Sequence, residues 1–262
     1  QREYGIFGHS EFVRLKDISV AHLYNLRHTF TYRDHAQVFV HTQAVKNTLG
    51  ERRKPEPDGR PGFIRVDSVH QGDNPDGKKG CYHINFVDEV LQWELVACVE
   101  TISERHMQPV LRALLSQFPF VVINFHSDNG SEYINGVVAD LLNKLYIHQT
   151  KSRPRRHNDN GLVETKNGSV IRKAIGYGYI PAGQAPFINQ WYQDWFNTYL
   201  NFHRPCGFAT VTRDQKGKEK LVYKTEGYMT PYEKLRSLPR AEQYLREGVT
   251  FADLDKVAYA MS

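Results

Sequence analysis

The sequence predicts an α/β protein in which a mixed sheet is flanked by helices. Three strand-like segments come first, helical and strand-like segments then alternate, and the order is β-β-β-α-β-α-β-α. One of the strand-like segments is apolar along almost its whole length, which is typical of a central strand covered on both faces. Alternation of this kind indicates a sheet with helices packed against it. With 262 residues, 40% of them hydrophobic, the chain can bury a substantial core.

Residues 1–50 are predicted to form a small helical segment. Ser19 is the expected N-cap of a helix that continues to Arg27, because apolar residues recur after it at helical intervals. Two interpretations stay open: the helix is the second of a partial helix-turn-helix that presents polar residues to DNA, or one of a pair of ordinary packing helices. Residues 51–61 (ERRKPEPDGRP) are charged and proline-rich, which predicts an exposed linker and a domain boundary.

Residues 62–178 are the predicted core domain. Its first three strands are GFIRVDSVH, CYHINFVDEV and WELVACVET, which turn residues separate. A helix with one apolar face is predicted from Glu104 to Phe118, and FPFVVINFHSD is the predicted central strand. INGVVADLLNKL predicts the next helix, YIHQTKS the last strand, and NDNGLVETKNGSVIRKAIG a further helix.

Residues 179–262 are the predicted C-terminal extension, made of helices and a hairpin. Four aromatic side chains follow one helical stripe between Ile180 and Pro205, and we expect them to be buried against the core or a second subunit rather than to stack on bases. They are Trp191, Trp195, Tyr199 and Phe202. ATVTRDQKGKEKLVYKT predicts a hairpin, and the segment from Pro231 onward predicts a helix.

Charge and cysteine content restrict the class of partner and the compartment. The net charge of +5, from 34 basic and 29 acidic residues, is a mild tendency toward polyanions. Apolar runs are shorter than the roughly 20 residues of a membrane-spanning helix, so no membrane partner is expected. Cys81, Cys98 and Cys206 form no Cys-x-x-Cys pair, which predicts three free, buried thiols in a reducing cytoplasm and argues against a zinc knuckle built on cysteines. The chain lacks a secretory pattern and an initial Met, so we expect a cytoplasmic protein that starts partway through a longer one.

Three carboxylates stand where a polar residue has little structural reason to be. Asp67 interrupts an apolar strand, Asp128 follows the most hydrophobic strand, and Glu164 lies in the first turns of a helix. Taken singly, each could be a turn, cap or surface residue. Taken together, they are the hard oxygen ligands that Mg²⁺ prefers, and two such ions about 4 Å apart can activate a nucleophile and neutralise charge in phosphodiester cleavage.

The spacing of these residues resembles that of the D,D(35)E group, the catalytic core shared by retroviral integrases and bacterial insertion-sequence transposases. Glu164 follows Asp128 by 36 positions, which leaves 35 residues between them. SDNGSEY and NDNGLVETKNG resemble the motifs around the second Asp and the Glu, and the resemblance covers about 62–176. WFNTYLNFHRP and MTPYEKL resemble later elements of the transposase branch, although Leu200 replaces a common Tyr and Val69 a common Thr.

The resemblance implies a ribonuclease-H-like fold: a five-stranded mixed sheet whose first three strands are antiparallel, with helices on both faces. It implies that Asp67, Asp128 and Glu164 hold two Mg²⁺ or Mn²⁺ ions, with Asp67 contacting both. It also implies double-stranded DNA, both element ends and target, as substrate, cleavage followed by strand transfer, and a homodimer or higher oligomer on DNA.

Basic and amide residues around the glutamate motif are candidate DNA contacts, because phosphate groups attract them and the resemblance puts this loop beside the active site. They are Lys151, Arg153, Arg155, Arg156, Asn160, Lys166, Arg172 and Lys173. Asn129, Gly130, Asn160 and Gly161 could assist the ligands or only form turns and caps. His126 and His157 are interpreted as structural histidines.

Two other functions remain open at the level of sequence. The first is a metal nuclease of the same fold, such as a ribonuclease H or a junction resolvase, which would hydrolyse nucleic acid without strand transfer. The motifs after the core argue against it. The second is an inactive DNA-binding scaffold, against which the three intact carboxylates argue because their mutual repulsion would destabilise a protein without metal.

Overall fold

The computed structural model describes residues 17–29, 31, 49–74, 76–128, 130, 133–156, 159–213 and 219–260. The chain divides into two compact units, residues 1–42 and 43–262. The described part of the first unit contains helix α1 (Val20–Leu26), whose N-cap Ser19 accepts a hydrogen bond from the His22 N–H at 3.1 Å. The predicted cap is therefore confirmed. The helix that would precede it in a helix-turn-helix lies outside the described residues.

The second unit is built on one six-stranded sheet with the order β1-β6-β5-β2-β3-β4. The strands are β1 (Glu51–Arg52), β2 (Phe63–His70), β3 (Tyr82–Asp88), β4 (Glu94–Val99), β5 (Asn124–Ser127) and β6 (His148–Lys151). Strands β2, β3 and β4 are antiparallel neighbours, whereas β5 is parallel to β2, and β6 and β1 continue in that direction. The mixed sheet of the predicted ribonuclease-H-like fold is confirmed, with β1 as a sixth strand where the sequence predicted linker.

Helices cover both faces of this sheet. On one face lie α2 (Glu104–Gln117) and α3 (Gly136–Lys144), which enclose core residues such as Phe86, Phe125 and Leu141. The other face carries two long helical segments. The carboxylate helix (161–175) consists of α4 (Gly161–Lys166), a π-helical turn (Asn167–Ile171) and α5 (Arg172–Ile175). The asparagine helix (185–203) consists of α6 (Ala185–Trp191) and two π-helical turns, Tyr192–Phe196 and Tyr199–His203.

The remaining elements follow the asparagine helix, which a 3₁₀ turn at Ala182–Gln184 precedes. They are β7 (Cys206–Gly207), β8 (Thr210–Arg213), β9 (Glu219–Val222), β10 (Tyr228–Met229), α7 (Pro231–Arg236), α8 (Phe251–Tyr259) and 3₁₀ turns at Thr225–Gly227 and Ala241–Tyr244. The antiparallel pairing of β8 with β9 confirms the predicted hairpin, and its turn lies outside the described residues. Among the helices of the described residues, none is both long and apolar enough to cross a membrane.

The central strand β5 is shorter than its apolar run predicted. Only Asn124–Ser127 pairs within the sheet, and the side chain of Val121 is 54% exposed. The first half of the run binds backbone groups elsewhere: Phe120 bridges to Leu245, and the Val121 N–H donates to the carbonyl of Tyr244 at 3.0 Å. The apolar run therefore has two parts with different surroundings: the first half pairs with the C-terminal segment, and the second half forms β5 in the sheet.

Within the chain, the aromatic stripe is not buried against the core as a whole, and burial against a second subunit stays a prediction. Trp191, Trp195 and Tyr199 are 37%, 58% and 46% exposed, Trp191 stacks on the buried Phe196, and Phe202 packs against the core. The buried side chains instead recur every four residues, at Ile188, Tyr192, Phe196 and Leu200. A π-helical turn contains more residues than an α-helical turn, so the face turned to the sheet drifts away from the stripe that an α-helical period predicts.

Three asparagines of the same helix cover the free edge of β4. Asn189 pairs with Cys98, Asn197 with Val96 and Asn201 with Glu94, and their side chains define the asparagine ladder. Each amide oxygen accepts from the backbone N–H of its partner and each amide nitrogen donates to the carbonyl, at 2.6–3.1 Å. The ladder thus satisfies an edge that would otherwise be open to another strand.

Candidate active site

Asp67 and Asp128 lie side by side because of the parallel pairing of β2 with β5. The register places Val66 opposite Ser127, so the next residue of each chain segment is one of the two aspartates. Asp67 lies on the face of the sheet that the carboxylate helix covers, together with Asn85, its direct partner on β3. Asp128 follows the last residue of β5 and is exposed. The carboxyl end of a parallel strand is where open α/β sheets place their sites.

The carboxylate helix brings Glu164 to the same place. It packs against β2 and β3, and two of its asparagines hold it there. Asn160 donates to the carbonyl of Val66 at 3.2 Å, and Asn167 donates to Oδ2 of Asp67 at 2.7 Å. Glu164 lies four residues after Asn160 and three before Asn167, which is the spacing of side chains on one helix face. The structure therefore brings the three predicted residues to one region.

The electrostatics of Asp67 record this proximity. Burial is the main reason that the pKa of Asp67 is raised to about 7; the carboxylates of Asp128 and Glu164 act in the same direction, and hydrogen bonds from the Ser68 N–H and Asn167 act against them. Those two bonds measure 2.8 and 2.7 Å and come from uncharged donors. The three carboxylates therefore repel one another, and no positively charged side chain among the described residues bonds Asp67.

A chain of buried polar groups supports Asp128 from behind. The Ser152 hydroxyl donates to Oδ1 of Asp128 at 2.7 Å and lies 3.3 Å from Nε2 of His126, whose Nδ1 is 2.9 Å from the Thr150 hydroxyl. Burial lowers the pKa of His126 to about 3, with the positive charge of Arg65 lowering it further. His126 is thus a neutral, hydrogen-bonded residue, as its interpretation as a structural histidine requires.

The three carboxylates fit a hard divalent cation by their chemistry, although they are not tightly clustered. Their oxygens are not all within 4.8 Å of one another; across the described residues, the His, Cys, Asp and Glu group that meets this distance is Cys81, His83 and Cys98. Carboxylate oxygen is nevertheless the donor that Mg²⁺ and Mn²⁺ prefer. The mutual repulsion recorded at Asp67 is the condition that a bound cation would relieve.

Four of the predicted DNA contacts bond to protein partners instead. Lys151 is buried and its Nζ donates to the carbonyl of Leu49 at 2.5 Å. Lys166 is buried, 3.6 Å from Oε2 of Glu94 and 3.2 Å from Sγ of Cys206. Arg172 bonds the His70 carbonyl and Gln71, and Asn160 is buried against β2. Lys151, Lys166 and Asn160 are therefore too buried to contact phosphate, and the guanidinium of Arg172 already bonds acceptors of the same chain.

The remaining predicted contacts are at the surface. Arg153 already has a protein partner. Its guanidinium and its backbone N–H donate to the buried carboxylate of Asp159, and this pair closes the loop before the carboxylate helix. Arg155, Arg156 and Lys173 are exposed. Gly130 and Gly161 are described, and Asn129 and His157 lie outside the described residues. DNA contact by Arg153, Arg155, Arg156 and Lys173 stays a prediction.

Sequence reasoning missed the amides and hydroxyls that support the carboxylates. Asn167 lies one turn after Glu164, and its amide oxygen accepts from Asn85 at 3.0 Å while its nitrogen donates to Asp67. Helical spacing from Glu164 could have indicated Asn167. Asn85 and Ser152 carry no comparable signal, because their positions depend on strand register.

Comparisons with known proteins give matches of limited extent. No protein-family model matches the chain. An uncharacterized protein named y4rM from Sinorhizobium fredii is 29% identical over 149 residues, which are 56% of this chain and 42% of that protein. The chain thus matches less than half the length of this relative.

Two solved structures are similar in fold to the chain. The catalytic core domain of BIV integrase, in a crystal structure, is 17% identical with a TM-score of 0.44, and the match covers 66% of this chain and 91% of that one. A simian T-cell lymphotropic virus intasome in complex with a PP2A regulatory subunit, solved by cryo-electron microscopy, is 16% identical with a TM-score of 0.46, covering 91% of this chain and 74% of that one.

Proposed function

We propose that the chain is the catalytic core of a DNA transposase or integrase. One observation carries the proposal: the pKa of Asp67 is raised to about 7, by burial first and then by the carboxylates of Asp128 and Glu164, and the two donors that bond Asp67 in the described residues are uncharged. Folding alone gives no reason to concentrate three carboxylates, because their repulsion opposes the compact state. Their 35-residue spacing and their positions on β2, after β5 and on the following helix agree with this interpretation.

In this proposal Asp67, Asp128 and Glu164 hold two Mg²⁺ or Mn²⁺ ions. When bound, such ions supply an activated oxygen nucleophile and stabilise charge at the reacting phosphate. The protein supplies orientation. The Ser68 N–H and Asn167 fix both oxygens of Asp67, and Ser152 fixes one oxygen of Asp128. Neutral His126 supports Ser152 without adding a positive charge that would compete with a cation.

Double-stranded DNA is the proposed substrate, and exposed basic residues would hold it beside the carboxylates. Arg155 and Arg156 extend from the loop that the Arg153–Asp159 pair closes, and Lys173 lies on the carboxylate helix. Phosphate contacts of this kind position DNA without reading its sequence. Assembly of two or more chains on DNA is part of the same proposal.

The products formed from DNA test the proposal and separate it from its alternatives. Labelled duplexes carrying the ends of the encoding element are incubated with the protein, supercoiled target DNA and Mg²⁺ or Mn²⁺. We expect cut ends and ends joined to the target. Cut ends without joined products in any divalent metal would indicate a nuclease of the same fold. Binding of the duplex with neither product would indicate a scaffold.

A further inference from the structure

A second group of metal-binding side chains lies on the same face of the sheet, away from the carboxylates. Cys81, His83 and Cys98 each offer one ligand atom, and these atoms all lie within 4.8 Å of one another. His83 on β3 pairs directly with Cys98 on β4, and Cys81 is two residues before His83, on the same side of its strand. All three side chains are at most 1% exposed.

The imidazole of His83 has one nitrogen without a hydrogen-bond partner. Its Nδ1 is 2.8 Å from the hydroxyl of Tyr192 on the asparagine helix. Its Nε2 is buried and has no hydrogen-bond partner in the described part of the chain. A buried polar atom without a partner destabilises a fold, and a metal ion would satisfy this nitrogen.

We propose that Cys81, His83 and Cys98 bind one zinc ion. Two sulfurs and one imidazole nitrogen are a donor set that zinc prefers and magnesium avoids. Two thiolates also balance the charge of a divalent ion, which matters because Val69, Ile171 and Ile188 make the surroundings apolar. The Tyr192 hydroxyl would accept from Nδ1 and hold the ring with Nε2 toward the metal, as outer partners of ligating histidines do.

The surrounding backbone keeps the three ligands in place. The Cys81 N–H donates to the Ile180 carbonyl at 3.0 Å and the Cys81 carbonyl accepts from the Gln71 N–H at 2.9 Å, which ties the cluster to β2 and to the segment before the asparagine helix. Asn189 of the asparagine ladder bonds both backbone groups of Cys98. A surface groove between α2 and the asparagine helix is lined in part by Cys98 and Asn189.

Metal content and cobalt spectroscopy test the zinc site. The untagged chain is purified, stripped with a chelator under reducing conditions and titrated with Zn²⁺ and with Co²⁺ as a spectroscopic substitute. We expect one ion per chain, a thiolate-to-cobalt charge-transfer band, and a melting temperature that falls on chelation and returns with Zn²⁺. Cys81→Ser and Cys98→Ser should lose the band and the stoichiometric zinc. Cys206→Ser is the matched control and should keep both, because Cys206 bonds Lys166 instead.

Two further measurements keep the proposal testable if the cysteine variants do not fold. Tyr192→Phe should retain the site but weaken zinc affinity by roughly 10- to 100-fold. In the parent chain, zinc should protect two of the three thiols from a thiol reagent after the fold has been loosened with mild denaturant. Absence of stoichiometric zinc in the parent chain, or a cobalt charge-transfer band that persists in Cys81→Ser, would overturn the proposal.

Discussion

The side-chain amide of Asn167 links β3 to the carboxylate of Asp67. Its nitrogen donates to Asp67 at 2.7 Å and its oxygen accepts from Asn85 at 3.0 Å. Asn167→Ala removes the group that orients Asp67, so we expect Mn²⁺ affinity, measured by calorimetry, to fall by roughly 10- to 100-fold, as for other partners of metal ligands.

A neighbouring substitution controls for damage to the helix. Thr165 is exposed. Within the described residues, its hydroxyl donates a hydrogen bond to the Gly161 carbonyl of the same helix and to no other group. Thr165→Ala should leave Mn²⁺ affinity unchanged. Equal affinities in the parent chain and Asn167→Ala would show that this amide does not position a metal ligand.

The sequence predicted the positions of the acidic residues better than the surface exposure of the basic ones. Asp67, Asp128 and Glu164 were identifiable because their spacing and local motifs form a pattern. Lys151 and Lys166 look like surface charges in the sequence, yet both are buried, with a carbonyl and a Glu94–Cys206 pair as partners. Burial of a long basic side chain depends on which distant residues it meets, and the sequence around it does not show this.

The asparagine ladder joins the asparagine helix to the edge of β4. Asn197→Ala removes two hydrogen bonds and leaves the N–H and carbonyl of Val96 unpaired at a covered edge. We expect urea unfolding to show a loss of about 1–3 kcal/mol, because buried backbone groups without partners are costly. Gln193→Ala, on the exposed side of the same helix, should change stability by less than about 0.5 kcal/mol. Similar losses in both variants would contradict the structural role of the ladder.

The same helix shows where periodicity alone misleads. A helix was predictable from Ile180 to Pro205, but the buried face was not, because two π-helical turns give a four-residue repeat from Ile188 to Leu200. The asparagines carry the other half of the information. They bond alternate residues of β4, a relation that becomes visible only once the strand and the helix lie together.

The loop before the carboxylate helix should respond to acid. Hydrogen bonds from Arg153 hold the pKa of Asp159 well below its usual range. A carboxyl whose pKa is lower in the folded chain stabilises it fully above the unfolded value, about 3.9, and this contribution is lost as the pH falls below that value. Melting temperatures measured from about pH 6 to about pH 3 should therefore fall more steeply for the parent than for Asp159→Asn. Parallel curves would mean that the pair contributes nothing to stability.

The net charge of +5 affects DNA binding through the positions of the basic residues on the surface. Arg155 and Arg156 are exposed beside the candidate site, so replacing both with Gln should lower the slope of log affinity against log salt by about two units for duplex DNA. Fluorescence anisotropy across a salt series measures this slope.

A matched removal of charge serves as the control for this experiment. Arg105 and Arg112 are exposed on α2, which covers the opposite face of the sheet. Replacing both with Gln keeps the net charge of the variant equal and should leave the slope nearly unchanged. Equal slopes in the two double variants would show that DNA approaches the molecule without using the loop.

The overall architecture was predictable because each element carries its own periodic pattern. The strand order of β2 to β6 and the helices between them follow the predicted sequence of elements. Strand β1 has only two residues, and its parallel pairing with β6 is decided by contact across the chain rather than by local composition. The cluster of Cys81, His83 and Cys98 was missed for the same reason: strand register, not a Cys-x-x-Cys motif, brings these side chains together.

We propose that Asp67, Asp128 and Glu164 form one metal-dependent site for DNA cleavage and joining. The most direct test of this proposal compares the parent chain with Asp67→Asn, Asp128→Asn and Glu164→Gln on labelled element-end DNA in Mg²⁺ or Mn²⁺, with duplex affinity and melting temperature measured in parallel. We expect each variant to bind the duplex and remain folded while its cleaved and joined products fall to background. Product formation that survives in any of the three folded variants would contradict the assignment.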